Sequence, residues 1–291
     1  MLGGHILTTE RLDERQEARL AVSLAGVRLG DIAGGLFPFG CRERYVIGLR
    51  LYLDDSKRDN IFTVGGFIAP IKLWERFEPE WAAALKLAKV PAFHATDFFN
   101  FQGDFKGWDK DLKKHARFAR RFAAIADKHT SACMARGIGL DGHAELVRNH
   151  PALIVHSPHG RVTPTMWCAR TCLEWVATTW KQPPVYEPIV VILEDGDGIG
   201  EVIEYLNRLK KQKPYWMQAF ESFATGTKAL LPLQAADYLV HEARRRISEA
   251  IYPEEHAVRK SFTRLVQRQG VSIKFWKRSD LAAGLPLYEG S

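Results

Sequence analysis

Apolar residues recur with two different periods along this chain, and the switches between them mark out its elements. From Tyr45, the stretch YVIGLRLYL places Tyr45, Ile47, Leu49, Leu51 and Leu53 at every second position, the spacing that lines one face of a β-strand. A polar run, SKRDN, separates it from IFTVGGFIAP, so a hairpin is predicted. The period then lengthens. Trp74, Phe77, Trp81 and Leu85 in KLWERFEPEWAAALKLAK fall on one face of a helix, and an aromatic stripe of this kind reads as core. PAFHATDFFNFQGDFKGW is aromatic and irregular. DKDLKKHARFARRFAAIADKH is again helical, with Leu112, Phe118, Phe122 and Ile125 on its apolar face. Its other face carries Lys110, Lys113, Lys114, Arg117, Arg120 and Arg121.

SACMARGIGL reads as a third strand and TMWCARTCLEWVATTWK as a further helix. PIVVIL shows no polar alternation, which suits a central strand buried on both faces. A helix near 200–212, an edge strand around 219–227 and the helix LQAADYLVHEARRRI follow. PEEHAVRKSFTRLVQRQ and VSIKFW give a last helix and strand. A hairpin followed by strands alternating with helices predicts an α/β fold, a mixed β-sheet flanked by helices, in one domain over 44–285. Residues 1–43 combine charged and Gly-rich pieces without a clear strand, and are expected to form an N-terminal extension, loosely held.

Composition narrows the class only a little. No apolar run approaches the roughly 20 residues of a spanning helix, so no membrane partner is expected. The first residues lack the basic and apolar regions of a signal peptide. Cys41, Cys133, Cys168 and Cys172 are too few and scattered for a disulfide scaffold, and a reducing, cytoplasmic location fits them. A formal net charge of +7 permits a polyanionic partner without identifying one.

Two apolar strands end in paired carboxylates: LYLDDS in Asp54 and Asp55, and PIVVILEDGDG in Glu194 and Asp195, with Asp197 close behind. If both strands run the same way in one sheet, these charges crowd together and call for a cation. Hard oxygen ligands suit Mg²⁺ or Mn²⁺. DGDGIG imitates the start of a calcium loop, but Ile199 and Leu206 stand at the fifth and twelfth positions, where ligands are required. In LLPLQAADYLVHEARRR, Leu233, Ala236, Val240, Ala243 and Ile247 form an apolar stripe, with Gln234, Asp237, His241 and Arg244 beside it. Asp237 therefore sits near the buried side and needs a partner, either an arginine or a shared metal.

LYLDDS ahead of a hairpin, FHATDFF, VILEDGDG and LLPLQAADYLV together resemble the domain-of-unknown-function family 3800 over roughly residues 45–250. That family is grouped with the ribonuclease H-like fold. Its opening motif, Asp-Glu-Ser-Gly, reads Asp54-Asp55-Ser56-Lys57 here, with two departures. Its late motif, Leu-Gln-x-Ala-Asp, is matched by Leu233 to Asp237. The resemblance implies acidic residues on the first strand, on a later central strand and on a following helix: Asp54, Glu194 or Asp195, and Asp237.

The expected activity is a metal-dependent phosphodiesterase, a nuclease acting on DNA or RNA. Asp54, Glu194, Asp195 and Asp237 would hold one or two Mg²⁺ or Mn²⁺ ions. His94, oriented by Asp97, is a candidate base or helper. Ser56, His94 and Asp97 could also spell a hydrolase triad, but no nucleophile elbow surrounds Ser56. Lys57, Arg244 and the basic helix face, Arg117 and Arg121 among it, are candidates for phosphate contacts. The alternatives are a non-catalytic nucleic-acid-binding or interaction protein on the same fold, and a hydrolase of a small phosphorylated molecule.

Overall fold

The computed structural model describes residues 48–149, 162–179, 188–212, 215–251, 262, 263, 265 and 270–276. The extension expected over 1–43 and most of the helix expected over 253–269 lie outside them. Six strands, β1 (Leu49–Arg58), β2 (Ile61–Pro70), β3 (Ala132–Gly139), β4 (Ile189–Glu194), β5 (Phe220–Gly226) and β6 (Val271–Trp276), form one sheet. Their order is β5-β4-β1-β2-β3-β6. β2 runs antiparallel to β1 and β3, while the pairs β1–β4, β4–β5 and β3–β6 are parallel. The helices are α1 (Ile71–Ala88), α2 (Ala95–Asn100), α3 (Leu112–His129), α4 (Leu140–Asn149), α5 (Pro164–Thr179), α6 (Ile199–Lys211) and α7 (Leu231–Ile251). The chain is thus a mixed α/β fold with helices against a six-stranded mixed sheet. Among the described residues no helix is long and apolar enough to cross a membrane.

β1 is flanked by β2 and β4 and covered on both faces, so its two alternating side-chain sets enter two different cores. Leu49, Leu51 and Leu53 join Val191, Leu193, Phe62, Val64 and the inner side of α5 and α6. Tyr52, on the opposite face, meets Trp74 of α1 edge-on at 4.9 Å between ring centroids. From there aromatic rings continue through Phe77, Trp81 and Phe122, with successive centroids 4.5–5.2 Å apart. The α1 stripe is core, as its spacing predicts, and truncating one such ring costs about 3–5 kcal/mol. α7 packs across β1 and β2 on this aromatic side. Gly66 makes that crowding possible, because a Cβ there would fall 1.7 Å from the Tyr52 carbonyl oxygen.

Four expectations change. β1 does not stop at Asp54; it continues to Arg58, paired with β2, and turns at Asp59–Asn60, where Asp59 takes a left-handed φ of 53°. The polar SKR segment is strand because β2 supplies its hydrogen bonds. What ends near Asp54 is the pairing with β4, whose last matched residues are Leu53 and Leu193. Second, the irregular aromatic stretch contains the short helix α2, and α4 follows β3 directly. Third, Leu112 opens α3 with 63% of its surface exposed, too early to reach the core that Phe118 and Phe122 enter. Fourth, the face of α7 beside its apolar stripe is not surface: Gln234, Asp237, His241 and Arg244 are all buried.

Candidate functional site

Strand alternation decides which carboxylates meet. Leu53 and Leu193 are register partners and point to the same side, under α5 and α6. The next residue on each strand, Asp54 and Glu194, therefore faces the other side, beneath α7. Asp55 and Asp195 alternate to the opposite face and are exposed, and both line the cleft above the cluster. Of the two candidates on β4, Glu194 thus enters the cluster, while Asp195 sits at its rim, its N–H donating to the Gly226 carbonyl at 2.7 Å. Of the four strand-end carboxylates, Asp54 and Glu194 meet Asp237 around one point, while Asp55 and Asp195 line the same cleft.

That third group is Asp237. Its Oδ2 accepts the Ala95 N–H at 2.9 Å and the Lys228 ammonium at 2.7 Å. One turn earlier, Gln234 Oε1 accepts both Trp81 Nε1–H and Phe93 N–H at 3.0 Å, while its Nε2 donates to the Lys228 carbonyl at 2.7 Å. Gln234 and Asp237, three apart on one helix, hold the 93–95 segment and the turn after β5. The sequence asks for an arginine or a metal beside Asp237. Its cation here is Lys228, nine residues upstream.

Lys228 sits among all three carboxylates, 2.7 Å from Asp237, 3.3 Å from Glu194 and 3.8 Å from Asp54. Burial alone would lower its pKa, but Asp237, Asp54 and Glu194 outweigh that and hold it up at about 12. Asp54 is the least satisfied member. It is 6% exposed, and its Oδ1 accepts the Asp55 N–H at 2.6 Å. Its Oδ2 is buried without a hydrogen-bond partner. Burial pushes the Asp54 carboxyl well above the usual range, with a side-chain hydrogen bond to Glu194 that only the protonated form can make and the Asp237 charge adding to it, and Lys228 opposing. Among the described residues no three His, Cys, Asp or Glu side chains stand ready-made as a metal cage. Three carboxylates from separate elements, the type of donor that hard divalent cations take, instead surround the Lys228 ammonium.

A cleft of about 470 Å³ opens over the cluster, with Lys57, His94, Thr96, Thr165 and Asp197 on its walls. His94 Nδ1 lies 3.8 Å from Asp237 Oδ2, with half its side chain exposed. Its carboxylate partner is therefore Asp237, while Asp97 belongs to the first turn of α2. Arg244, a candidate for phosphate contact, does not line the cleft. It is 6% exposed, and its Nε–H donates to Ser56 Oγ at 3.0 Å, bracing α7 against β1. Ser56 thereby serves as a structural acceptor. Arg117 and Arg121 are exposed on α3, and neither lines the cleft.

Lys228 and Gln234 are the residues that the sequence did not single out for the site. Gln234 carried a signal, since a buried Gln on an apolar helix needs partners for both ends of its amide. Lys228 carried none, being one lysine in a polar turn. Compared with protein-family models, curated proteins and solved structures, the chain has no significant match.

Proposed function

We propose that this chain is a metal-dependent phosphodiesterase acting on DNA or RNA, with its site at Asp54, Glu194 and Asp237. The observation that carries the reading is the buried Asp54 Oδ2 without a hydrogen-bond partner, facing two further carboxylates across a cationic point. A buried carboxylate oxygen that receives no hydrogen bond and only a 3.8 Å ion pair is costly in a folded protein, which supports a site that takes a ligand. The three acidic positions match those that the ribonuclease H-like resemblance implies, which supports both that finer fold assignment and the choice of Mg²⁺ or Mn²⁺.

Asp54, Glu194 and Asp237 would hold the ion, which would supply a Lewis acid that lowers the pKa of water and offsets negative charge on a phosphate. The chain's own residues contribute the rest. Gln234 fixes the 93–95 segment, so His94 stands at the rim within reach of a proton on a bound substrate. Lys57, exposed on the cleft wall, is placed to meet a phosphate. The net charge of +7 and the α3 face with Arg117 and Arg121 support a polyanionic substrate.

The test is incubation of the purified protein with labelled single- and double-stranded DNA and RNA in Mg²⁺, Mn²⁺ or EDTA. An Asp54→Asn, Asp237→Asn double variant, checked for folding, runs alongside. Cleavage that requires metal and disappears in the variant supports the reading. Cleavage that persists in the variant contradicts it.

A second reading, a non-catalytic nucleic-acid-binding protein on the same fold, is favoured by Lys228, which already neutralises much of the cluster. It expects salt-sensitive binding that EDTA leaves unchanged, and no hydrolysis.

A further inference from the structure

We propose that Lys228 and the divalent ion compete for the same carboxylates, so that the ion enters only as the Lys228 side chain swings out of the cluster. The inference rests on the reading of Asp54, Glu194 and Asp237 as the metal ligands, and assigns the residue that controls their loading. The ammonium stands 2.7, 3.3 and 3.8 Å from one oxygen of each carboxylate, so an ion ligated by all three needs the space it fills. It satisfies these oxygens unequally, hydrogen-bonded to Asp237 at 2.7 Å but only ion-paired with Asp54 Oδ2 at 3.8 Å, which is left without a hydrogen bond. In the proposed loaded state, a small divalent ion would take oxygens from all three. Two cations cannot share that point, because each would repel the other in a site shielded from water.

The backbone around Lys228 is held in place. Its carbonyl is bonded by Gln234 Nε2, and the turn is closed by the Leu230 N–H donating to the Thr227 carbonyl at 2.9 Å. Gln234 is itself fixed by Trp81 and Phe93. The turn therefore stays, and the flexible four-carbon stem rotates. Lys228 already lines the cleft, with 20% of its side chain exposed, so rotation carries the ammonium toward the space a substrate phosphate would enter. The lysine is then the counter-ion of the metal-free protein and a phosphate-binding group in the loaded one.

Two measurements on metal-free protein test this. Mn²⁺ binding is titrated by electron paramagnetic resonance for the wild type and for Lys228→Met, which keeps the length of the stem and removes the charge. In parallel, acylation of wild-type lysines by an N-hydroxysuccinimide ester is mapped by mass spectrometry with and without Mn²⁺. Lys228→Met is expected to bind Mn²⁺ roughly tenfold or more tightly than the wild type. Lys228 labelling is expected to rise severalfold on adding Mn²⁺ while other lysines stay constant. Binding in Lys228→Met alone also upholds the competition, with the lysine as resident cation.

Equal affinity in the two proteins overturns the proposal and leaves the metal reading standing. Tighter binding without a change in wild-type labelling overturns it as well, reducing Lys228 to distant repulsion. Binding in neither protein overturns the metal reading, and the competition with it. If Lys228→Met does not fold, the wild-type labelling decides.

Discussion

Replacing Asp54 by Asn in the metal-free protein should make it more stable. The substitution is nearly isosteric, and the amide oxygen can still accept the Asp55 N–H that Oδ1 accepts at 2.6 Å. What disappears is a buried charge whose other oxygen has no hydrogen-bond partner. That charge is attracted by one ammonium at 3.8 Å, worth about 4 kcal/mol at an effective dielectric of about 20. Against it stand repulsion by Glu194 and Asp237 and the loss of hydration, the causes that push the Asp54 carboxyl well above its usual range. The balance therefore disfavours the ionised form. Lys228 keeps its contacts with Asp237 and Glu194 in the variant.

Relieving an unsatisfied buried acceptor is worth about 1–3 kcal/mol. At about 2–4 °C per kcal/mol for a domain of this size, Tm should rise by roughly 2–12 °C. The sign with pH follows from a folded-state pKa raised above the unfolded value. Protonated Asp54 contributes its stability fully below the unfolded pKa, about 3.9, and that contribution is lost as pH rises through the folded pKa. The advantage of Asn should thus be small near pH 4 and largest at pH 7–8. Differential scanning calorimetry in EDTA across that range measures it. A lower Tm for Asp54→Asn at neutral pH would refute the reasoning and make Asp54 a structural bracket. Added Mn²⁺ should raise the Tm of the wild type and leave that of the variant nearly unchanged.

Gln234→Leu leaves the Trp81 and Phe93 N–H groups unpaired, and should cost about 2–5 kcal/mol in urea unfolding. An unchanged urea midpoint would show that the amide does not bracket these segments. Gly66→Ala drives a Cβ into the Tyr52 carbonyl, and a loss on the order of 3 kcal/mol is expected from thermal melts. A wild-type Tm would mean that β2 can shift away from β1. If the α3 face binds phosphates, Arg117→Glu with Arg121→Glu should weaken nucleic-acid binding. The slope of log affinity against log salt should then flatten by about 0.9 for each duplex phosphate that is no longer neutralised. An unaltered slope would make that face plain solvated surface.

Much of the scaffold was legible because it follows from local period. The apolar run ahead of Glu194 is a central strand, parallel to β1 and beside it, as the absence of polar alternation in PIVVIL suggests. The same logic, applied one residue further, separates Asp54 and Glu194 from Asp55 and Asp195, since strand neighbours face opposite sides. The hairpin was legible, but the continuation of β1 beyond Asp54 was not. Its polar SKR residues look like a turn, and only the partner strand makes them strand. Arg244 reads as a free cation on a helix, yet α7 is covered on nearly all sides and Ser56 takes its Nε–H. Lys228 enters the site through tertiary placement alone, from a turn fixed by Gln234. A spacing pattern records none of this, because these interactions join segments far apart in the chain.

The most direct test of the proposed centre is an anomalous difference map from crystals of the wild-type protein soaked in Mn²⁺. The expected result is a peak ligated by carboxylate oxygens of Asp54, Glu194 and Asp237, with the Lys228 ammonium displaced into the cleft. A map without a peak there, and with Lys228 still 2.7 Å from Asp237, would contradict a metal-dependent site and leave the lysine as the permanent cation of the cluster.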